Sequence, residues 1–162
     1  LFGERDNRVK SENVLAIEEV FKQADIPYQI EEDIVFAMWF KYMANVGENM
    51  TCAMLGIPFG AFRDNDYANF IRVKAMEEIA IIANLKGIML TRAEIEKQSE
   101  TIKHLPKDNK PSTLQDIENH RKTEVEMFSG AICKMGKQLN VKTPVNEILY
   151  NGIKVLEGKY ID

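Results

Sequence analysis

The stretch IVFAMWFKYMANVGENMTCAM, residues 34–54, is dense in Phe, Met, Trp and Ala. It reads as one long helix, closed by GIPFG (residues 56–60), where Gly56 and Pro58 stop helical propagation. Within it Lys41, Asn45 and Asn49 recur every four residues. Steps of four drift by only ~40° around a helix, so the three share a stripe along one side. Such a stripe is either a solvated face or the polar wall of a binding cleft.

Downstream of this helix the strand signals disappear. A second helix is expected over about residues 65–85, with so many apolar positions (Phe70, Val73, Ala75, Met76, Ile79, Ala80, Ile82 and Ala83) that burial on several sides is implied. Gly87 is placed for a left-handed cap after it. Thr91 with Glu94 forms a capping box for a third helix, and Ser112 with Gln115 repeats the pattern at the start of PSTLQDIENHRKTEVEMFSG (residues 111–130). Thr143 followed by Pro144 marks the last start, a cap and then a first-turn proline. No period of 20–50 residues recurs, which argues against a solenoid. Residues 34–162 are therefore expected to form an all-α helical bundle.

The first 33 residues differ. LFGERDN (residues 1–7) reads as a strand running into a turn. Ser11 can cap a helix carrying Val14, Leu15, Ala16, Val20, Phe21 and Ala24. Pro27 ends that helix, and Tyr28 and Ile30 suggest a short strand. This is strand–helix–strand, the tail end of an α/β unit. A first strand without an earlier partner, opening at Leu1 rather than Met, points to a piece of something longer.

Bulk properties narrow the function. With 162 residues, 45% hydrophobic and 28% charged, the chain has the balance of a globular protein, not a disordered one. A net charge of -4 argues against nucleic-acid binding driven by a general positive field. No apolar run approaches the ~18 residues needed to cross a bilayer, and no basic-then-apolar signal opens the chain, so neither a membrane nor a secretory route is expected. Cys52 and Cys133 match no metal or redox spacing and read as reduced core thiols of a cytoplasmic protein. His104 and His120 have no ligand-like partners and read as surface residues; no metal site is expected.

Among residues that could carry chemistry, Lys41 stands between Trp39, Phe40, Tyr42 and Met43, which suggests partial desolvation and a pKa lowered toward general-acid use. Most lysines are simply solvated, however. Glu124 lies in KTEVEMFSG, expected on a helix packed through Val125, Phe128 and Ile132, and its plain reading is a surface carboxylate. Ser112 is explained as an N-cap, though a helix N-terminus also attracts anions and a serine can cap and donate together. Asn45 and Asn49 could merely satisfy neighbouring backbone groups.

Taken in order, WFKYMANVGENMTCAMLGIPFG, MEEIAIIANLKGI, PSTLQDIENHRKTEVEMFSG and VKTPVNEILYNGIKVLE resemble the C-terminal domain of ketopantoate reductase (2-dehydropantoate 2-reductase). The similarity covers essentially all of 34–162. It implies a bundle of the 6-phosphogluconate dehydrogenase C-terminal-like kind as the substrate-binding and catalytic domain. Residues 1–33 would then be the remnant of an N-terminal Rossmann domain. Such enzymes reduce ketopantoate, a 2-oxo acid, to pantoate with NADPH on the route to coenzyme A. The resemblance places the family's proton-donating lysine on Lys41 and its second catalytic group, a carboxylate, on Glu124. It places substrate contacts on Asn45, Asn49 and Ser112.

The chain contains no G-x-G-x-x-G and no complete βαβ unit, so NADPH would be held mainly by a Rossmann domain missing from it, and its cofactor-binding residues stay unknown. Alone, these 162 residues are expected to be inactive. Two alternatives stand beside this reading: a related 2-oxo-acid reductase of other specificity, and a non-catalytic helical module for dimerisation or partner binding. A homodimer formed through apolar surface is a further expectation.

Overall fold

The structure, a computed structural model, describes residues 1–5 and 8–161. By compactness it divides into two units, Leu1–Phe40 and Lys41–Asp162.

In the first unit α1 spans Glu12–Gln23, and Ser11 caps it by accepting the Val14 N–H, as its sequence position suggested. The two strands expected around this helix are reduced, among the described residues, to a single parallel bridge between Phe2 and Ile30. Its bonds run from the Phe2 N–H to the Gln29 carbonyl (3.1 Å) and from the Glu31 N–H to the Phe2 carbonyl (2.9 Å). One bridge leaves each segment extended without a ladder. The turn expected after the first segment includes Asp6 and Asn7, which lie outside the described residues. Phe2, Phe21 and Tyr28 pack ring against ring at 5.4–6.1 Å, the apolar centre of this unit. Long helix α2, Ile34–Leu55, starts here, with Asp33 accepting the Phe36 N–H at 2.9 Å.

The second unit is helical throughout its regular structure: the remainder of α2, the single turn α3 (Ala61–Asp64), α4 (Asp66–Leu85), α5 (Arg92–Lys103), α6 (Ser112–Glu118), α7 (Ala131–Leu139) and α8 (Pro144–Glu157). Its middle is α4, packed against α3, α5, α7 and α8. Ala75, Met76, Ile79, Ile82 and Ala83 of α4 are fully buried, the many-sided burial anticipated from the sequence, while Phe70 lies exposed. Helix α2 joins this core at Gly47. A Cβ there would lie 2.6 Å from Met76 Cγ and 3.2 Å from the Arg72 carbonyl, so only glycine lets the two backbones approach this closely.

Three helix starts behave differently from one another. Thr91 and Glu94 form the expected capping box at α5. At α6 the box is absent: Pro111 precedes the helix, Ser112 is its first residue, and the Gln115 amide donates instead to the Lys110 carbonyl. That helix ends at Glu118, and His120 adopts φ +53, so residues 111–130 are not one helix. At α8 the proline sits where expected, but the Thr143 hydroxyl does not cap. Glu78 reaches across from α4 instead, accepting the N–H groups of Val145 (2.8 Å) and Asn146 (3.0 Å). A carboxylate at a helix N-terminus satisfies free donors and opposes the positive end of the dipole.

Candidate active site

Helix α2 supplies the first three candidates. Lys41 is exposed, and Asn45 and Asn49 are half-buried, on the side of a helix whose Met43, Val46, Met50 and Cys52 are fully buried. The desolvation expected for Lys41 from its aromatic neighbours is not found. Residues adjacent in sequence point in different directions around a helix, so Trp39, Phe40, Tyr42 and Met43 cannot all wall the same ammonium. The stripe from Lys41 to Asn49 runs about 12 Å along the helix, two steps of four residues at ~1.5 Å per residue. Among the described residues neither asparagine amide hydrogen-bonds to the protein, so both are available to a ligand.

Behind the stripe, Glu48 turns inward. Its Oε1 accepts from Arg72 Nη1 (3.2 Å) and from Gln98 Nε2 (3.0 Å). Arg72, wholly buried, also donates to Asn69 Oδ1 and Ser99 Oγ and lies 5.4 Å from the centre of the Phe62 ring. Burial opposes charge on both partners. It pushes the Glu48 carboxyl up to about 7 against the opposing pull of Gln98 and Arg72, and it holds the Arg72 guanidinium below its ordinary value.

Glu124 is exposed but is not on a helix. It occupies the bend before a π-helical turn, Glu126–Gly130, in which the Gly130 N–H reaches back five residues to the Val125 carbonyl. Val125 and Ile132 are fully buried and Phe128 half-buried, so the expected packing residues do anchor the segment. Turns of this kind recur at functional sites. The segment is tied down on each side of Glu124. Upstream, Thr123 donates both its N–H and its hydroxyl to Glu157 Oε1 of α8, each at 2.7 Å. Burial pushes the Glu157 carboxyl up, but those bonds and Lys154 outweigh it and hold the group below its ordinary value. Downstream, the Tyr42 hydroxyl of α2 donates to the carbonyls of Met127 (2.8 Å) and Phe128 (3.0 Å). Ser129 donates to Asn146 Oδ1, and the Asn146 amide donates to the Ala75 carbonyl and to Glu78.

Lys41 and Glu124 thus belong to segments that touch through Tyr42. Ser112 is less directly tied. It is exposed at the start of α6, and its approach segment is held to the connection between α2 and α3 by the N–H groups of Phe59 and Gly60, which donate to the carbonyls of Asn109 and Lys107 (3.0 Å each). The described cavities of this unit lie elsewhere. One of about 660 Å³ is lined by Glu126, Cys133, Lys134, Lys137 and Tyr150 among others, and one of about 570 Å³ by Met54, Ile148 and Val155 among others. Neither includes any of the five candidates.

Sequence reasoning missed the supporting residues Tyr42, Thr123, Glu157, Ser129 and Glu78. All five, and Asn146 with them, lie inside the stretches quoted above, but nothing local in those stretches marks their distant partners. Cys52 and Cys133 are buried free thiols, and His104 and His120 are exposed, His120 stacked at 5.0 Å on Tyr160. No group of three or more His, Cys, Asp or Glu able to hold a metal occurs among the described residues. No helix among them is long and apolar enough to cross a membrane.

Comparison with known proteins adds to this geometry. The 2-dehydropantoate 2-reductase of Pyrococcus horikoshii is 30% identical over 149 residues, 92% of this chain and 49% of that protein. The chain spans about half the length of the curated relatives it matches. A PanE/ApbA family ketopantoate reductase from Ralstonia eutropha JMP134 shares the fold with a TM-score of 0.84 at 21% identity, over 94% of this chain and 51% of that one. D-mandelate dehydrogenase in complex with NADH does so at 0.82 and 22%, over 94% and 52%. The family described as ketopantoate reductase PanE/ApbA C terminal matches residues 33–157, and the chain belongs to that family.

Proposed function

We propose that this chain is the substrate-side domain, residues 34–162, of an NADPH-dependent 2-dehydropantoate 2-reductase, preceded by the remnant 1–33 of a nucleotide-binding domain. The observation carrying this reading is the solvent-accessible row Lys41, Asn45 and Asn49 on a helix that is otherwise buried from Met43 to Ala53, with the Glu124 turn docked beside its lysine end through Tyr42. In this reading the Lys41 ammonium hydrogen-bonds the 2-oxo oxygen and gives up a proton to it as the carbon is reduced. Glu124 orients that ammonium, and Asn45, Asn49 and Ser112 align a small polar acid without adding charge.

A nicotinamide nucleotide supplies the hydride in such reductions. The described residues do not fit one. No glycine-rich loop leads from a strand into a helix, and the extended pairing among them is the single Phe2–Ile30 bridge. The nucleotide would be bound by other parts of a longer, cytoplasmic enzyme.

The natural substrate is tested by NADPH oxidation with the full-length protein across a panel of 2-oxo acids. Ketopantoate should give the highest kcat/KM, because pocket shape separates analogues that share the same 2-oxo acid group. A clear preference for an aryl 2-oxo acid would move the assignment toward the chemistry of D-mandelate dehydrogenase, whose fold is shared. No turnover of any 2-oxo acid would favour a non-catalytic helical module.

A further inference from the structure

The residue following Lys41 carries a bond that the sequence motifs do not account for. Tyr42 reaches 85 positions along the chain to place its hydroxyl on two consecutive carbonyls, those of Met127 and Phe128, while its ring lies 6.2 Å from that of Phe128. Those carbonyls belong to the π-helical turn, and its first two N–H groups past Glu126, on Met127 and Phe128, donate back to the Glu124 carbonyl (2.9 and 3.1 Å). The Glu124 backbone is therefore fixed to the segment that Tyr42 holds. On the other side, the paired Thr123–Glu157 bonds fix the preceding residue to α8. Glu124 is left with an immobilised backbone and an exposed carboxylate, between one anchor on α8 and one on α2.

We propose that Tyr42 is a positioning residue for the reduction, setting the separation of Lys41 and Glu124 by clamping the π-helical turn to the helix that carries the lysine. This rests on the reading of Lys41 and Glu124 given above. Because Tyr42 is the immediate neighbour of Lys41, a shift at its hydroxyl is transmitted to the Lys41–Glu124 separation with little backbone in between. Burial raises the phenol pKa, so the hydroxyl keeps its proton and stays a donor across the pH range of an assay. A phenylalanine at 42 would keep the ring contact with Phe128 and remove only the donor, leaving α2 and the turn packed but unlocked.

The test is steady-state kinetics of the full-length protein in four forms: wild type, Tyr42→Phe, Glu124→Gln and the double variant, each with its melting temperature. Tyr42→Phe should lower kcat about tenfold while KM changes less than about twofold, since orientation of the acid matters more in the transition state than in binding. In the Glu124→Gln background the same change should cost little, because the group being positioned has gone; that coupling is what a double-mutant cycle reads. A merely structural tyrosine would cost the same factor in both backgrounds and would lower the melting temperature in step with activity. Equal losses in both backgrounds, or no loss in either, overturn the proposal while leaving the reductase reading in place. A wild type that turns over no 2-oxo acid overturns both. Should Tyr42→Phe prove too unstable to assay, Thr123→Val, which removes one bond of the opposite anchor, must show the same dependence on Glu124 or the clamp is refuted.

Discussion

Glu48 illustrates how one side chain can serve the interior from a helix whose Lys41, Asn45 and Asn49 are open to solvent. Its folded pKa of about 7 lies above the ~4.3 of an unfolded glutamate, so the folded state retains a proton over that interval which the unfolded chain releases. Stability from this group is greatest below about pH 4, declines as pH rises toward about 7, and is level above it. Glu48→Gln should flatten that decline: wild type minus variant, the melting temperature should fall between pH 5 and pH 7. Parallel curves would mean that the carboxyl titrates normally. The Lys41, Asn45, Asn49 row was legible because a spacing of four survives any packing. The environment of Lys41 was not, since sequence neighbours say nothing about which direction around the helix meets solvent.

At the scale of elements, the contact between α2 and α4 depends on the absence of one methyl group. Gly47→Ala would force a Cβ to within 2.6 Å of Met76 Cγ; the methionine can yield, but the Arg72 carbonyl at 3.2 Å is backbone and yields less. A loss of about 1–3 kcal/mol is expected, as for other overpacked cores, read from the midpoint of urea unfolding. An unchanged midpoint would mean that the helices separate freely. Helices α2, α4, α5 and α8 were legible in the sequence because periodicity and stop signals are local. What escaped was set by distant groups: the α8 cap comes from Glu78, sixty-eight residues from Asn146, and the π-helical turn is held by Tyr42 and Asn146. Ser112 was misplaced as a cap because the pattern S-x-x-Q fits equally well one residue inside a helix that Pro111 introduces.

For the molecule as a whole, the order of motifs identified the family, and the match over residues 33–157 agrees with it. The fold alone does not choose a substrate, since ketopantoate reductases and D-mandelate dehydrogenase share it. The pairing of the Lys41 and Glu124 segments was not legible, because it runs through a tyrosine hydroxyl to backbone carbonyls and leaves no pattern in the sequence. The proposed reduction depends on Lys41 giving its proton to the substrate oxygen. NADPH oxidation with ketopantoate in the full-length protein, wild type beside Lys41→Ala, reads that role. A fall in kcat of about a hundredfold or more is expected from loss of a general acid. Turnover within a fewfold of wild type would contradict that role.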